Sequence, residues 1–300
     1  MIKASILTKG TDHAELQRLV QLLHDHPEVE LVAYADPENT GMTLDELYPA
    51  LTGETSLSVV NALDATNVDV VFIVGDSDVF GTFASNPTIH DDLFVIDMTH
   101  GASSDFVQGI PELNRKAMVR GAHRVAMPDA VTTAVAISLL PMAKNLLLNN
   151  PVSTYLVLND TKADADSLTA ATLSDKTAEQ VAAALKSLQN SFNSTVDGVV
   201  AKGDVPEGLI AVTTINTPVD IDELKKLYTD FYDDHNFTFI VDSRPDVSDV
   251  RDTNKAFIHL DKQADKLVIT TVLDTDLKGG AGNAVHAMNL LFGLIEKVGL

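Results

Sequence analysis

The stretch HRVAMPDAVTTAVAISLLPMAKNLLL (residues 123–148) reads as a short strand, a turn and a long apolar helix. Arg124–Met127 supplies the strand, and the helix opens just after Pro128-Asp129. Strand, turn and helix in that order form the unit of an alternating α/β chain. Such a turn often seats a nucleophile, because a helix N-terminus favours negative charge. Here the turn holds Pro128, Asp129, Ala130 and Val131, none of them a good nucleophile. Val131, Ala134, Val135, Ile137, Leu139, Leu140, Met142 and Leu146 wrap most of the helix Val131–Leu148. A helix apolar on nearly all sides is a buried one.

Working outward, the first third keeps the same alternation. Ile2–Thr8 reads as a buried strand with Gly10 in the turn after it, and His13–His24 as an amphipathic helix. Glu30–Ala35 is a second strand ending at Asp36-Pro37, Leu57–Ala65 a helix, and Val68–Val74 and Phe94–Met98 two further strands. Strands separated by helices imply parallel pairing with right-handed crossovers. The second half is richer in strands: Val152–Leu158, Thr195–Lys202, Gly208–Asn216, Asn236–Val241, Ala256–Leu260 and Lys266–Leu273. Two helices, near Lys176–Gln189 and Ile221–Tyr232, interrupt them, which predicts a mainly antiparallel sheet with helices on one side. A last helix, Gly282–Val298, rejoins the first domain. The expected fold is therefore α/β: a Rossmann-like doubly wound parallel sheet plus an α+β domain. The expected boundaries are 1–130 with 282–300, and 131–281.

Forty-three acidic and 21 basic residues in 300 give a formal net charge of -22. Such a surface repels phosphate backbones and anionic lipid, so neither nucleic acid nor a membrane is an expected partner. No stretch is apolar and long enough to span a bilayer, and MIKASILTKG lacks the apolar core of a secretory signal. The chain reads as soluble and cytoplasmic. It contains no cysteine. Disulfides, thiolate metal sites and cysteine nucleophiles are thereby excluded.

The most distinctive run is TTVLDTDLKGGAGNAVHAMNLLFGLIEKVGL, residues 270–300. Its Asp274, Lys278, Gly279, Gly280, Ala281, Gly282, Ala284, Val285, Met288 and Asn289 resemble the end of the N-acetyl-gamma-glutamyl-phosphate reductases, relatives of aspartate-semialdehyde dehydrogenase. HPEVELVAYA, GIPELNR (Gly109–Arg115, a loop before the catalytic strand) and VRDTNKAFI resemble other anchors of that family, in the same order. The resemblance spans nearly the whole chain. It implies NADPH-dependent reduction of an acyl phosphate through a cysteine thioester, with a histidine moving the proton.

Residue by residue, that chemistry is missing. The family's Pro-Gly-Cys turn corresponds to Pro128-Asp129-Ala130, so the nucleophile position is Ala130 and a carboxylate stands beside it. In AKGDVPEGLIAV the family's histidine position is Gly203, ahead of Pro206. In IDMTHGASSDF, Asp97 and Thr99 persist, while the substrate-binding arginine falls near Ser103. The family's glycine-rich first turn reads LTKGTDHAEL, with Gly10 alone remaining and Leu7 and His13 at the outer positions; Asp12 adds negative charge. The degenerate cofactor positions are Thr8, Gly10, Thr11, Asp36, Gly279, Gly282 and Asn283. Asp36 suits the ribose hydroxyls of NAD over the 2′-phosphate of NADP, or simply ends a strand in a turn. The Lys278–Gly282 run either meets a dinucleotide or packs the last helix closely on the sheet.

Three other features carry bland readings. Asp160, Asp164 and Asp166 share a loop without EF-hand spacing. YTDFYDDH reads as a solvated helix end, and His24 and His26 as structural residues flanking a helix terminus. No metal site is expected. Two functions stay open. One is a catalytically inactive relative kept for binding, structure or regulation, with no cofactor or weak NAD(P), assembling as a homo-oligomer or with an active paralogue or other protein. The other is an NAD(P)-dependent oxidoreductase of non-thioester chemistry.

Overall fold

The computed structural model describes residues 1–10, 14–100, 105–159, 168–203 and 207–300. Two compact units emerge: Met1–Pro128 with Gly280–Leu300, and Asp129–Gly279.

The first unit carries β1 (Ile2–Leu7), α1 (Ala14–Asp25), β2 (Val29–Ala35), α2 (Leu44–Leu47), β3 (Val59–Val60), β4 (Val70–Val74), α3 (Ser77–Ala84), β5 (Phe94–Met98), β6 (Val107–Gln108), α4 (Pro111–Val119) and β7 (Arg124–Ala126). Its seven strands run in the order β3-β2-β1-β4-β5-β7-β6, every pair parallel. The chain turns outward from β1 to β2 and β3, then returns to β4 on the other side of β1. The switch point therefore lies between β1 and β4. All five residues of β4 are buried, as a central parallel strand covered on both faces requires. Alternate strand residues feed two cores. Ile6, Phe72 and Ile96 meet Leu16, Leu19 and Leu23 of α1 on one face, and Leu7, Ile73 and Val95 meet Val79 and Phe83 of α3 on the other.

Three expectations need correction here. Residues 57–65 are not a helix. Val59 and Val60 pair with Tyr34 and Ala35 as the edge strand β3, and Val59 N–H donates to Met42 O. A free edge beside β2 offers two valines more than an isolated turn of helix would. GIPELNR is not a loop, because Pro111 stands at the first position of α4, where its missing N–H costs nothing. The last helix, α8 (Ala281–Leu291), stops short of Val298. Gly293 is left-handed (φ 66°), and the Gly293 and Leu294 amides close onto Leu290 O and Asn289 O, a Schellman end.

The second unit holds α5 (Ala130–Lys144), β8 (Val152–Asn159), β9 (Leu168–Thr172), α6 (Asp175–Leu188), β10 (Val196–Gly203), β11 (Leu209–Asn216), α7 (Ile221–Tyr232), β12 (Thr238–Ile240), β13 (Ala256–Gln263) and β14 (Lys266–Leu273). Its sheet order is β12-β13-β14-β11-β8-β10-β9. Only β8–β10 and β12–β13 are parallel. Residues 132–143 of α5 are all buried, as its unbroken apolar surface demands. Tyr228 and Tyr232 of α7 donate their hydroxyls to Ser138 O and Ile137 O of α5. Ser138 in turn joins Thr213 and Thr154 on the same face of the sheet. The other face bears exposed Tyr155, Val157, Val199 and Phe239.

Candidate functional site

The carboxyl end of β1, at the switch point, is where an open parallel sheet binds ligands. Thr8 is buried there, its N–H donated to Ala35 O (2.9 Å) and its hydroxyl to Gly10 O (3.4 Å). Gly10 is left-handed (φ 80°), a conformation that glycine adopts without strain, and the exposed Glu38 carboxylate end lies near where a Cβ would be. Its N–H points at Asp36 Oδ1 (3.0 Å). The same oxygen takes Glu38 N–H (3.0 Å), and Oδ2 takes the Asn39 amide (2.6 Å). Asp36 is fully buried, and three donors hold its carboxylate. Its place is that of a strand-ending turn lock, turned inward onto the Gly10 loop. Thr11, Asp12 and His13 lie outside the described residues.

Beside this turn opens a cavity of about 240 Å³. Leu7, Leu63 and Val79 give it an apolar floor, and Lys9, Asn61 and Asp78 a polar rim. Beneath β2, Tyr34 and Tyr48 share a 2.8 Å hydrogen bond; burial pushes both phenols up, Tyr48 to about 12.

Past β5, His100 adopts φ 55°, rare for a residue with a side chain. Its Nδ1 lies 3.3 Å from Met127 O and its Nε2 3.3 Å from Glu15 Oε1, in the first turn of α1. Sequence reasoning missed His100, because attention in that loop went to the position near Ser103, which lies outside the described residues. Gly282 and Asn283 are buried in α8, and the Asn283 amide donates to Gly109 O (3.2 Å). Thr8, Gly10 and Asp36 thus come together as one cluster, while Asn283 belongs with Gly109.

In the second unit the turn at Asp129-Ala130 is a helix cap. Asp129 is the N-cap of α5 and accepts Thr132 N–H at 2.6 Å. Ala130, half-buried, is the first helical residue. A Cβ on Gly279 would come within 2.5 Å of the Ala130 methyl, so Gly279 serves close packing on this turn. Asp274 shapes the loop before it by accepting the amides of Asp252, Asp276 and Leu277. Lys278 is fully buried, its ammonium 6.0 Å from the Phe237 ring. Gly203 closes β10. Pro206, Asp160, Asp164 and Asp166 lie outside the described residues. His24 Nε2 approaches Glu54 Oε2 at 3.1 Å, and with Asp25 their ligand atoms lie within 4.8 Å of one another, His24 half-buried and the two carboxylates exposed. Buried His26 bonds Asn289 Oδ1 (3.1 Å), a structural contact. No helix among the described residues is long and apolar enough to cross a membrane.

Residues 17–120 match the family described as "Semialdehyde dehydrogenase, NAD binding domain", and residues 177–275 the "Semialdehyde dehydrogenase, dimerisation domain". N-acetyl-gamma-glutamyl-phosphate reductase of Parabacteroides distasonis is 33% identical over 100% of this chain and 98% of its own. That of Bacteroides thetaiotaomicron is 35% identical with the same coverage. Among solved structures, aspartate semialdehyde dehydrogenase II of Vibrio cholerae superposes with a TM-score of 0.75 over 98% of both chains at 14% identity. The enzyme of Candida albicans, solved with NADP, gives 0.72 over 97% of this chain and 98% of its own at 16% identity. These two likenesses speak to the fold alone.

Proposed function

The chain belongs to the family of N-acetyl-gamma-glutamyl-phosphate reductases, and from that premise we propose that it keeps their scaffold without their reaction, as a binding or regulatory protein. One observation carries this: 300 residues contain no cysteine. Acyl-phosphate reduction through a thioester needs a polarisable thiolate, and no hydroxyl stands in the vacated place. The structure around that place adds support. The α5 N-terminus, which would favour a thiolate, already holds the Asp129 carboxylate. Gly203 at the family's histidine position can carry no proton.

The test is direct. Purified protein given N-acetylglutamyl phosphate and NADPH leaves the nicotinamide absorbance unchanged. Turnover above the protein-free blank refutes the proposal.

A second reading, an oxidoreductase of altered chemistry using NAD(P), is favoured by the match of the first unit to an NAD binding domain and by the cavity at its switch point. Titration calorimetry decides it: absence of NAD(P)(H) binding at roughly millimolar concentration removes it.

The same proposal includes a homo-oligomer. Tyr155 pairs across β11 with Val212, and Val157 with Ile210, so the exposed apolar residues form continuous rows on one face of the second sheet. A contiguous apolar face of this kind marks an interaction site. The relatives' "dimerisation domain" names a second copy as its occupant. Light scattering coupled to size exclusion is expected to report a dimer; a monomer at tens of micromolar overturns that part.

A further inference from the structure

We propose that His24, Asp25 and Glu54 form a binding site for one divalent ion of the zinc class, which clips the end of α1 to the loop ahead of β3. This lies apart from the loss of reductase chemistry, and neither reading depends on the other.

The site rests on where three donor atoms are held. His24 and Asp25 are the last two residues of α1. Glu54 follows the single turn Pro49–Leu51, and its N–H donates to Leu51 O (3.0 Å). Leu51 is buried in the same core cluster as Leu19 and Leu23 of α1, so packing fixes the loop opposite the helix end. One imidazole nitrogen and one oxygen from each carboxylate lie within 4.8 Å of one another. His24 Nε2 and Glu54 Oε2 stand 3.1 Å apart. Ligand bonds of about 2.0–2.2 Å in a tetrahedron place neighbouring donors roughly 3.4 Å apart. That pair is therefore already near coordinating separation, and exposed Asp25 closes the set by a rotamer adjustment.

Charge points the same way. Two carboxylates face one histidine, which cannot neutralise both. Among the described residues no lysine or arginine pairs with any of the three. The carbonyl end of α1 adds partial negative charge at the same spot. An ordinary ion pair of His24 with Glu54 needs no Asp25 and is worth little in solvent. His26 takes no part, being buried and bonded to Asn289 Oδ1.

The donor types select the ion. One nitrogen with two carboxylate oxygens suits zinc better than magnesium, which prefers oxygen ligands and keeps its own water. Three protein donors leave a fourth position for water. His24 also lines a cavity of about 220 Å³ with Leu31, Leu44, Leu51 and Leu57, so there is room beside the imidazole for that water. Glu54 stands 30 residues from His24, which hides the set from any reading of local spacing.

The experiment is titration calorimetry of the whole protein, stripped with EDTA, against zinc chloride and magnesium chloride. Zinc is expected to bind as one equivalent with a Kd of about 10 µM or tighter, and magnesium at least about a hundredfold more weakly. No zinc binding overturns the inference. So does magnesium binding as tightly as zinc, which would report only an acidic surface collecting cations. His24→Ala and Glu54→Gln are each expected to weaken zinc by at least about tenfold. Asp230→Asn, at an exposed carboxylate of α7 paired with Lys226, is expected to leave it unchanged. Zinc affinity that survives either ligand variant, or that falls equally with Asp230→Asn, puts the ion elsewhere and overturns the site. Saturating zinc is also expected to raise the thermal midpoint of the wild type by several degrees and that of His24→Ala by less, and equal rises overturn the clip. Reductase turnover bears on the functional proposal alone.

Discussion

Asp36 and Asp129 each follow a strand, β2 and β7, and they hold the turns there differently. Asp36 is fully buried and gathers its neighbours Glu38 and Asn39 together with Gly10, which lies 26 residues away in sequence. Asp129 is half-buried and caps a single amide three residues away. One carboxylate is a tertiary lock in the first unit, the other a local cap in the second. The same side chain therefore fixes one turn at the level of the fold and the other at the level of one helix end. Removing the first hold disturbs the β1–β2 region, whereas removing the second opens one helix N-terminus.

The largest expected effect breaks the lock. Asp36→Ala removes a fully buried acceptor from three donors, one of them the Gly10 amide, all in part-buried bonds. Lost hydrogen bonds to a buried charged acceptor cost about 3 kcal/mol or more. Denaturant unfolding of the first unit is expected to shift by that amount. A loss under about 1 kcal/mol would mean water replaces the carboxylate freely and the two turns are alike after all.

A chemical probe at the other turn comes next. Ala130→Cys places a thiol at the first helical position, one residue from the Asp129 carboxylate. Adding Asp129→Asn removes that charge and keeps a capping oxygen. The thiol of the double variant is expected to titrate lower by about one pKa unit, equivalent to roughly 1.4 kcal/mol, when its reaction with a disulfide reagent is followed against pH. Equal values in both variants would show that the cap's charge does not reach the seat.

Smaller again is Asp129→Ala, which forfeits a single N-cap and costs about 1 kcal/mol. Thermal unfolding of the wild type and the variant measures it. A cost matching that of Asp36→Ala would erase the distinction between lock and cap.

How far the sequence reveals these features depends on their range. The alternation of strands and helices is a local, periodic signal, so the doubly wound sheet and the buried helix α5 are legible, and Ile221–Tyr232 and Lys266–Leu273 fall as the periodicity places them. Residues 57–65 fail because an edge strand of two residues is defined by its partner, β2, and not by its own pattern. That Ala130 carries no nucleophilic atom is visible in the residue type alone. Asp36 shows only as a strand-ending carboxylate, since its grip on Gly10 joins positions 26 apart. His100 gives no signal at all: its strained backbone and its contacts to Glu15 and Met127 are tertiary.

The smallest effect concerns a buried group kept neutral, the counterpart of the two carboxylates. His26 is buried against Gly299, where a Cβ would touch the ring at 2.1 Å. Its Nδ1 accepts the Glu28 N–H (3.2 Å) and its Nε2 faces Asn289 Oδ1 (3.1 Å). Burial holds its pKa below the ordinary histidine value of 6.5, against the opposing pull of Asn289, the Val298 backbone and Glu28. A depressed folded pKa means that the unfolded chain binds the proton more readily. The stabilising contribution is then fully present above the unfolded value and is lost as pH falls through the folded one. Denaturant unfolding at about pH 7.5 and about pH 5.5 is expected to show a loss at the lower pH that is smaller in His26→Gln. The Asp36 lock involves no histidine, so Asp36→Ala is expected to lower both values alike. A pH-dependent loss that follows Asp36→Ala instead would place the titrating group at the Gly10 turn and make that lock, too, a proton-sensitive contact.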